Sequence, residues 1–189
     1  MPARASHHTI VALVEDKPGV LNRIASKWRQ RGFNIESLAV GHSEIPGLSR
    51  MTFTVDGARH DVDQVTKQLF KVIEVVDITD ITEDDVVARE LALIRVAASP
   101  NNRTAILEIA QVFRANVIDV AHDSLIVEVT GDEDKIEALY ELLLPYGVKE
   151  LMRTGRIAMT RGGVGHVMED GYRRYRSAGE GKAQVGSLL

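Results

Sequence analysis

The stretch Glu15-Asp16-Lys17-Pro18-Gly19-Val20-Leu21, continued by Gly32-Phe33-Asn34-Ile35-Glu36-Ser37-Leu38, decides the fold of this chain. It reads as strand, tight turn, helix, tight turn, strand. The apolar run Ile10-Val11-Ala12-Leu13-Val14 stops at Glu15-Asp16. Asp16 is placed to accept hydrogen bonds from the unpaired amides of the helix that follows. Pro18 suits a first helical turn, where a missing N–H costs nothing. Val20, Ile24 and Trp28 recur at helical spacing while Arg23, Lys27, Arg29 and Arg31 take other positions, the pattern of an amphipathic helix. Gly32 predicts a left-handed cap, and a second strand begins at Asn34.

Gly19 is the odd residue. A glycine in a first helical turn costs up to about 1 kcal/mol against alanine. Either the segment is an ordinary capped helix, or the glycine serves an unusual φ or the close approach of another group. A helix start with bare amides and no Cβ in front of it accepts a carboxylate.

Outward from this stretch the same grammar repeats. Ser43-Glu44-Ile45-Pro46-Gly47 is a loop, and Met51, Phe53 and Val55 alternate with polar residues as a half-buried strand. Val62, Val65, Leu69 and Val72 fall at helical spacing with Asp61 as expected N-cap, and Val75-Val76-Asp77-Ile78 starts a further strand. The order β-α-β-β-α-β is the split βαβ unit of ferredoxin-like domains. Thr82-Glu83-Asp84-Asp85 is an acidic break, after which the pattern restarts. Leu91 to Ala98 is an apolar strand, Ile106, Ile109, Ala110 and Phe113 form a helical stripe, and Val117-Ile118-Asp119-Val120 is a strand. Leu125, Val127 and Val129 alternate, Ile136, Leu139, Tyr140 and Leu143 form a second stripe, and Val148 to Arg153 reads as the last strand. This is a degenerate repeat with a period of about 80 residues, the length of a duplicated domain rather than of a solenoid unit. Ile118-Asp119 echoes Ile35-Glu36, but the second copy has no Pro-Gly turn before its helix. Both first strands are apolar on alternate faces too, so the sheet faces away from the helices are expected to be covered. The expected organisation is α+β, two ferredoxin-like βαββαβ domains over residues 8–82 and 83–161, with a flexible or weakly folded Gly- and Arg-rich tail over 162–189.

Composition narrows the function. Hydrophobic residues make up 44% of the 189, enough for real cores, and the net charge of −4 gives no footprint for nucleic acid. The absence of cysteine excludes disulfides, a thiol nucleophile and a thiolate metal site. No stretch has the length of a membrane span or a secretory leader, so a cytoplasmic location is expected. His7-His8 has no carboxylate or cysteine at ligand spacing, and no metal is expected. Glu83-Asp84-Asp85 is a solvated linker, and no catalytic constellation is present. RNA-recognition domains share the ferredoxin-like order, but their third strand carries base-stacking aromatics. Here it is Ser49-Arg50-Met51-Thr52-Phe53-Thr54-Val55, with one aromatic in phase with the core.

Glu15 to Leu21, Arg31-Gly32-Phe33-Asn34-Ile35-Glu36-Ser37-Leu38 and Leu48-Ser49-Arg50-Met51-Thr52 together resemble the regulatory small subunit of acetolactate synthase (acetohydroxyacid synthase). The likeness resumes at Phe113 to Asp119 and at Arg153-Thr154-Gly155-Arg156-Ile157-Ala158, and so covers about residues 8 to 161. The resemblance implies that the first domain is an ACT domain, which binds an amino acid at a dimer interface. It implies valine, or another branched-chain amino acid, as feedback inhibitor. The implied partners are a second copy and the catalytic large subunit, which uses thiamine diphosphate, magnesium and FAD; no cofactor is implied for this chain. Carried onto this sequence, the amides around Gly19, Val20 and Leu21 would receive the ligand carboxylate. Asn34 and the backbone of Ile35, from the neighbouring subunit, would hold the polar remainder, with Asp16 as ammonium partner. The family often has asparagine where this chain has Asp16, and the tail beyond Arg161 is unlike the family's usual ending. A stand-alone amino-acid-sensing ACT protein acting on another partner is the alternative.

Overall fold

The computed structural model describes residues 7–56 and 59–162. The expected tail beyond Gly162 lies outside them. The first βαββαβ run is β1 (His7–Glu15), α1 (Val20–Gln30), β2 (Ile35–His42), β3 (Leu48–Asp56), α2 (Arg59–Leu69) and β4 (Val75–Asp80). The second is β5 (Val86–Ala97), α3 (Arg103–Val112), β6 (Asn116–Val120), β7 (Ser124–Gly131), α4 (Glu133–Leu143), a 3-10 turn Leu144–Tyr146, and β8 (Val148–Arg153). A further short strand, β9 (Ile157–Thr160), pairs with β5; the sequence reading stopped at β8. Among the described residues the chain divides into two compact units, one formed by those from His7 to Val87 with those from Ala158 to Gly162, the other by Ala88–Ile157.

Both sheets are antiparallel with ferredoxin-like order, β2-β3-β1-β4 and β6-β7-β5-β8. The first strand of each run lies inside its sheet, so it needs apolar side chains on both faces. In β1, Ile10, Ala12 and Val14 face the helices, and Val11 and Leu13 on the other face are buried as well. In β5, Ala92, Ile94 and Val96 are fully buried, while Leu91, Leu93 and Arg95 opposite are half-buried.

The first core joins β1 to Val20, Ile24 and Trp28 of α1, Met51, Phe53 and Val55 of β3, and Val62, Val65 and Leu69 of α2. Trp28 meets Phe33 edge-on at 5.6 Å and Phe53 at 6.3 Å between ring centroids. The Phe33 contact follows from how α1 ends. Gly32 has φ +78°, its N–H donates to Arg29 O, and the Phe33 N–H donates to Trp28 O. This is a Schellman motif, in which the residue after the glycine folds back onto the last turn. The left-handed cap expected of Gly32 is therefore present. Asp61, expected to cap α2, instead lies in its first turn, because the helix starts at Arg59.

The repeat is recorded in irregularities as well as in strands. β1 shifts register against β4 at Leu13/Val14, and β5 against β8 at Arg95/Val96. β2 bulges against β3 between Ile35 and Ser37, and β6 against β7 between Val117 and Asp119. The bulges pair Ile35-Glu36 with Val117-Ile118. The Ile118-Asp119 echo read from sequence is thus one residue out of register, which in a strand means the opposite face.

Candidate functional site

The strand-to-helix connection after β1 is built differently from the sequence reading. Pro18 lies ahead of α1, not inside it. Lys17–Val20 is a β-turn closed by the Val20 N–H to Lys17 O at 3.4 Å, with Gly19 at φ +86° and ψ −7°. Proline followed by a residue at about +80°, 0° is the signature of a type II turn. Gly19 is required for the sign of its φ, and a Cβ placed on it would meet nothing within 4 Å. The surface in front of it is open.

Asp16 does not cap the helix. Its backbone N–H donates to Gly47 O at 2.9 Å, which holds it at the end of the sheet beside the β2–β3 loop. The turn then carries the chain away before the first amide of α1. No side chain of the described residues caps α1, and its first i→i−4 bond runs from the Arg23 N–H to Gly19 O. Among the described residues the amides of Leu21 and Asn22 therefore have no acceptor, as a helix start demands unless something else supplies one. Val20 is buried in the core, so only its backbone faces the turn; Leu21 is 39% exposed. The carboxylate of Asp16 points to His42, with Oδ2 3.2 Å from the imidazole Nδ1. Lys17 pairs with Glu15 at 2.6 Å, and Arg23 with Glu74, whose carbonyl also accepts from the Glu15 N–H.

Asp16, Gly19, Val20 and Leu21 are thus brought together. Asn34 and Ile35 are not brought to them within one chain. Ile35 pairs with Val55, which β3 sets opposite His8, whereas Glu15 is opposite Leu48 at the other end of the same strand. Seven strand residues at about 3.3 Å each separate the two groups by roughly 23 Å. The sequence reading missed His42 and Glu74 as neighbours of the turn. Both are remote in sequence, and only strand pairing brings them there. Glu36, the bulged residue beside Ile35, is held by His7 Nδ1 at 2.6 Å.

The second unit builds the same place with other residues. The turn before α3 is fastened by its own polar groups. The Ser99 N–H donates to Asn102 Oδ1 at 2.6 Å, and the Arg103 guanidinium donates to the carbonyls of Ala121 and His122. An open cavity of about 320 Å³ remains there, lined by Ala97, Ala98, Ser99, Pro100, Asn102, His122 and Asp123. Lys149, 2.7 Å from Asp123, holds that carboxyl below the ordinary range, and Glu90 raises the pKa of Arg153 across the sheet.

Residues 10–77 match the family described as the AHAS small subunit-like ACT domain, and residues 89–162 match that of the small subunit of acetolactate synthase. The chain is 56% identical over 155 residues to the probable acetolactate synthase small subunit of Archaeoglobus fulgidus, covering 82% of this chain and 97% of that one. It is 53% identical over 154 residues to the acetolactate synthase small subunit of Bacillus subtilis, covering 81% and 90%. The crystal structure of the acetolactate synthase small subunit from Thermotoga maritima superposes with a TM-score of 0.77 at 40% identity, covering 84% of this chain and 99% of that one. With both halves of the chain matched and its two-unit fold shared, the protein belongs to the family of regulatory small subunits of acetolactate synthase, its first unit an ACT domain.

Proposed function

We propose that this regulatory subunit senses valine, or another branched-chain amino acid, at a site completed between the ACT units of two copies. On this reading it activates the catalytic large subunit and makes it sensitive to that amino acid. The observation that carries the reading is the uncapped start of α1 behind an open Pro18-Gly19 turn, with the Asp16 carboxylate beside it. Bare amides at a helix start suit a carboxylate, and a nearby carboxylate suits an ammonium. An amino acid carries both.

The second copy is supported by strand geometry. β2 is an edge strand of eight residues, and Val40 on it is 49% exposed. Antiparallel pairing of β2 with its copy, centred on Leu38 and Ala39, sets Ile35 of the partner subunit opposite His42. His42 is already in contact with Asp16. A two-fold axis at this edge therefore brings together the two groups that one chain keeps roughly 23 Å apart. Thiamine diphosphate, magnesium and FAD belong, on this reading, to the catalytic partner.

Burying a valine side chain contributes about 1.5–3 kcal/mol, and charge-assisted hydrogen bonds contribute about 1.5–3 kcal/mol each. After ordering losses this gives dissociation constants between roughly millimolar and micromolar. The test is thermal unfolding of the chain with each amino acid in turn, alongside valine titration of the enzyme reconstituted with its catalytic subunit. A ligand at about 100 times its Kd stabilises by about 2.7 kcal/mol. No shift with any branched-chain amino acid, and no inhibition of the reconstituted enzyme, would overturn the proposal.

A further inference from the structure

His42 ends β2 with its side chain 86% exposed, and its only described partner is the Asp16 carboxylate, itself 47% exposed. Every other carboxylate around the turn has a permanent cation. Glu15 of β1 is paired with Lys17, Glu74 ahead of β4 with Arg23 of α1, and Glu44 of the β2–β3 loop with Arg50 of β3 at 2.9 Å. Of these four carboxylates, Asp16 is the one whose partner carries a charge only when protonated. Of the other charged groups on these elements, Glu36 of β2 and His7 of β1 pair with each other at the far end of the sheet, and Asp56 of β3 and Lys27 and Arg29 of α1 have no described contact with His42 or Asp16.

We infer that His42 is a proton-controlled competitor for Asp16, setting how freely that carboxylate is available to the ammonium of a bound amino acid. This deepens the proposed amino-acid site and rests on it. Protonated, His42 occupies Asp16 and the incoming ammonium must displace it. Neutral, it leaves the carboxylate free. The sign follows: affinity is higher once the imidazole has lost its proton, and by linkage the binding of the amino acid expels a proton. The pair is exposed, so the effect is modest, about three- to five-fold in affinity between the two protonation states. His42 is a positioning residue here, acting through Asp16. It also stands where the paired β2 edges would deliver Ile35 of the partner subunit.

The test is calorimetric titration of the full chain with valine at about pH 5.5 and about pH 8, in two buffers of different ionisation heat. The expected result is about three- to five-fold tighter binding at the higher pH, with proton release in between. His42→Gln keeps an amide donor but cannot titrate, and Asp16→Asn removes the charge competed for. His42→Gln should flatten the pH profile while valine binding persists, and Asp16→Asn should flatten it and weaken valine binding as well. Affinity of the unsubstituted chain that does not change with pH, or a pH dependence that survives in His42→Gln, would overturn this inference and leave the amino-acid site standing. Absence of valine binding by the unsubstituted chain at both pH values would overturn the site and the inference together.

Discussion

Replacing Gly19 by asparagine and by aspartate separates its conformational role from its place beside a ligand. Gly19 sits at φ +86°, ψ −7°, with open space where a Cβ would go. Asparagine and aspartate are the side chains that best tolerate this region, at a cost of about 1 kcal/mol. That cost corresponds to a loss of about 2–4 °C in Tm for a chain of this size, shared by both variants because their shapes match. Their charges then act in opposite directions on stability and on binding. A carboxylate at the start of α1 complements the helix dipole and recovers about 0.3–1 kcal/mol of folding stability. The same carboxylate stands within a few ångströms of the amides of Leu21 and Asn22, where the ligand's own carboxylate is proposed to dock. Two like charges about 4 Å apart repel by about 1 kcal/mol in water and about 4 kcal/mol at an effective dielectric of 20. The turn is exposed, so the lower half of that interval applies, and Gly19→Asp should bind valine about tenfold more weakly than Gly19→Asn. The assays are thermal unfolding without ligand and valine titration of the same preparations. An aspartate variant that is the more stable of the two and the weaker binder is the expected result. One that binds valine as the unsubstituted chain does would refute the placing of the carboxylate.

Trp28→Ala empties the centre of the first core, where Trp28 is fully buried against Phe33 and Phe53. The expected loss is about 3–5 kcal/mol in denaturant titration, with Trp28→Phe costing clearly less. Asp123 gives the pH prediction. Lys149 holds its folded-state pKa below the ordinary value, so its contribution to stability is present at neutral pH and is lost as pH falls through that lowered pKa. Lys149→Met should raise the Asp123 midpoint in an NMR titration and remove this group's share of the acid limb. An unmoved midpoint would show that the 2.7 Å pair does not persist in solution.

The parts legible in the sequence were those written in neighbouring residues. Met51, Phe53 and Val55 announce a buried strand face by alternation, Val20, Ile24 and Trp28 a buried helix face by spacing, and Gly32 the end of α1. Asp16 was read as a helix cap because its sequence neighbours allow it. Its true partners, Gly47 and His42, come from the β2–β3 hairpin, and no local pattern announces them. Pro18-Gly19 fits either a helix start or a type II turn, and the choice is made by the path the chain takes from sheet to helix. The bulges escaped for the same kind of reason. Nothing in Ile35-Glu36-Ser37 or Val117-Ile118-Asp119 marks the residue that goes unpaired against β3 or β7.

The separation of Asp16 and Gly19 from Asn34 along one sheet has a genetic consequence. If each site takes its turn from one chain and its Asn34 from the other, a defect at either end damages both sites of a uniform dimer. Two differently damaged chains, mixed, do not behave alike. In a dimer of Gly19→Asp with Asn34→Ala, one site inherits both lesions and the other inherits neither. Two alleles that each abolish the response would therefore restore part of it when expressed together. At equal expression and random pairing, half the dimers are mixed, and about a quarter of the wild-type number of sites returns. Sites confined to single chains would show no such rescue, so complementation between two defective copies reads out, without any structure of the dimer, which chain each half of the site comes from.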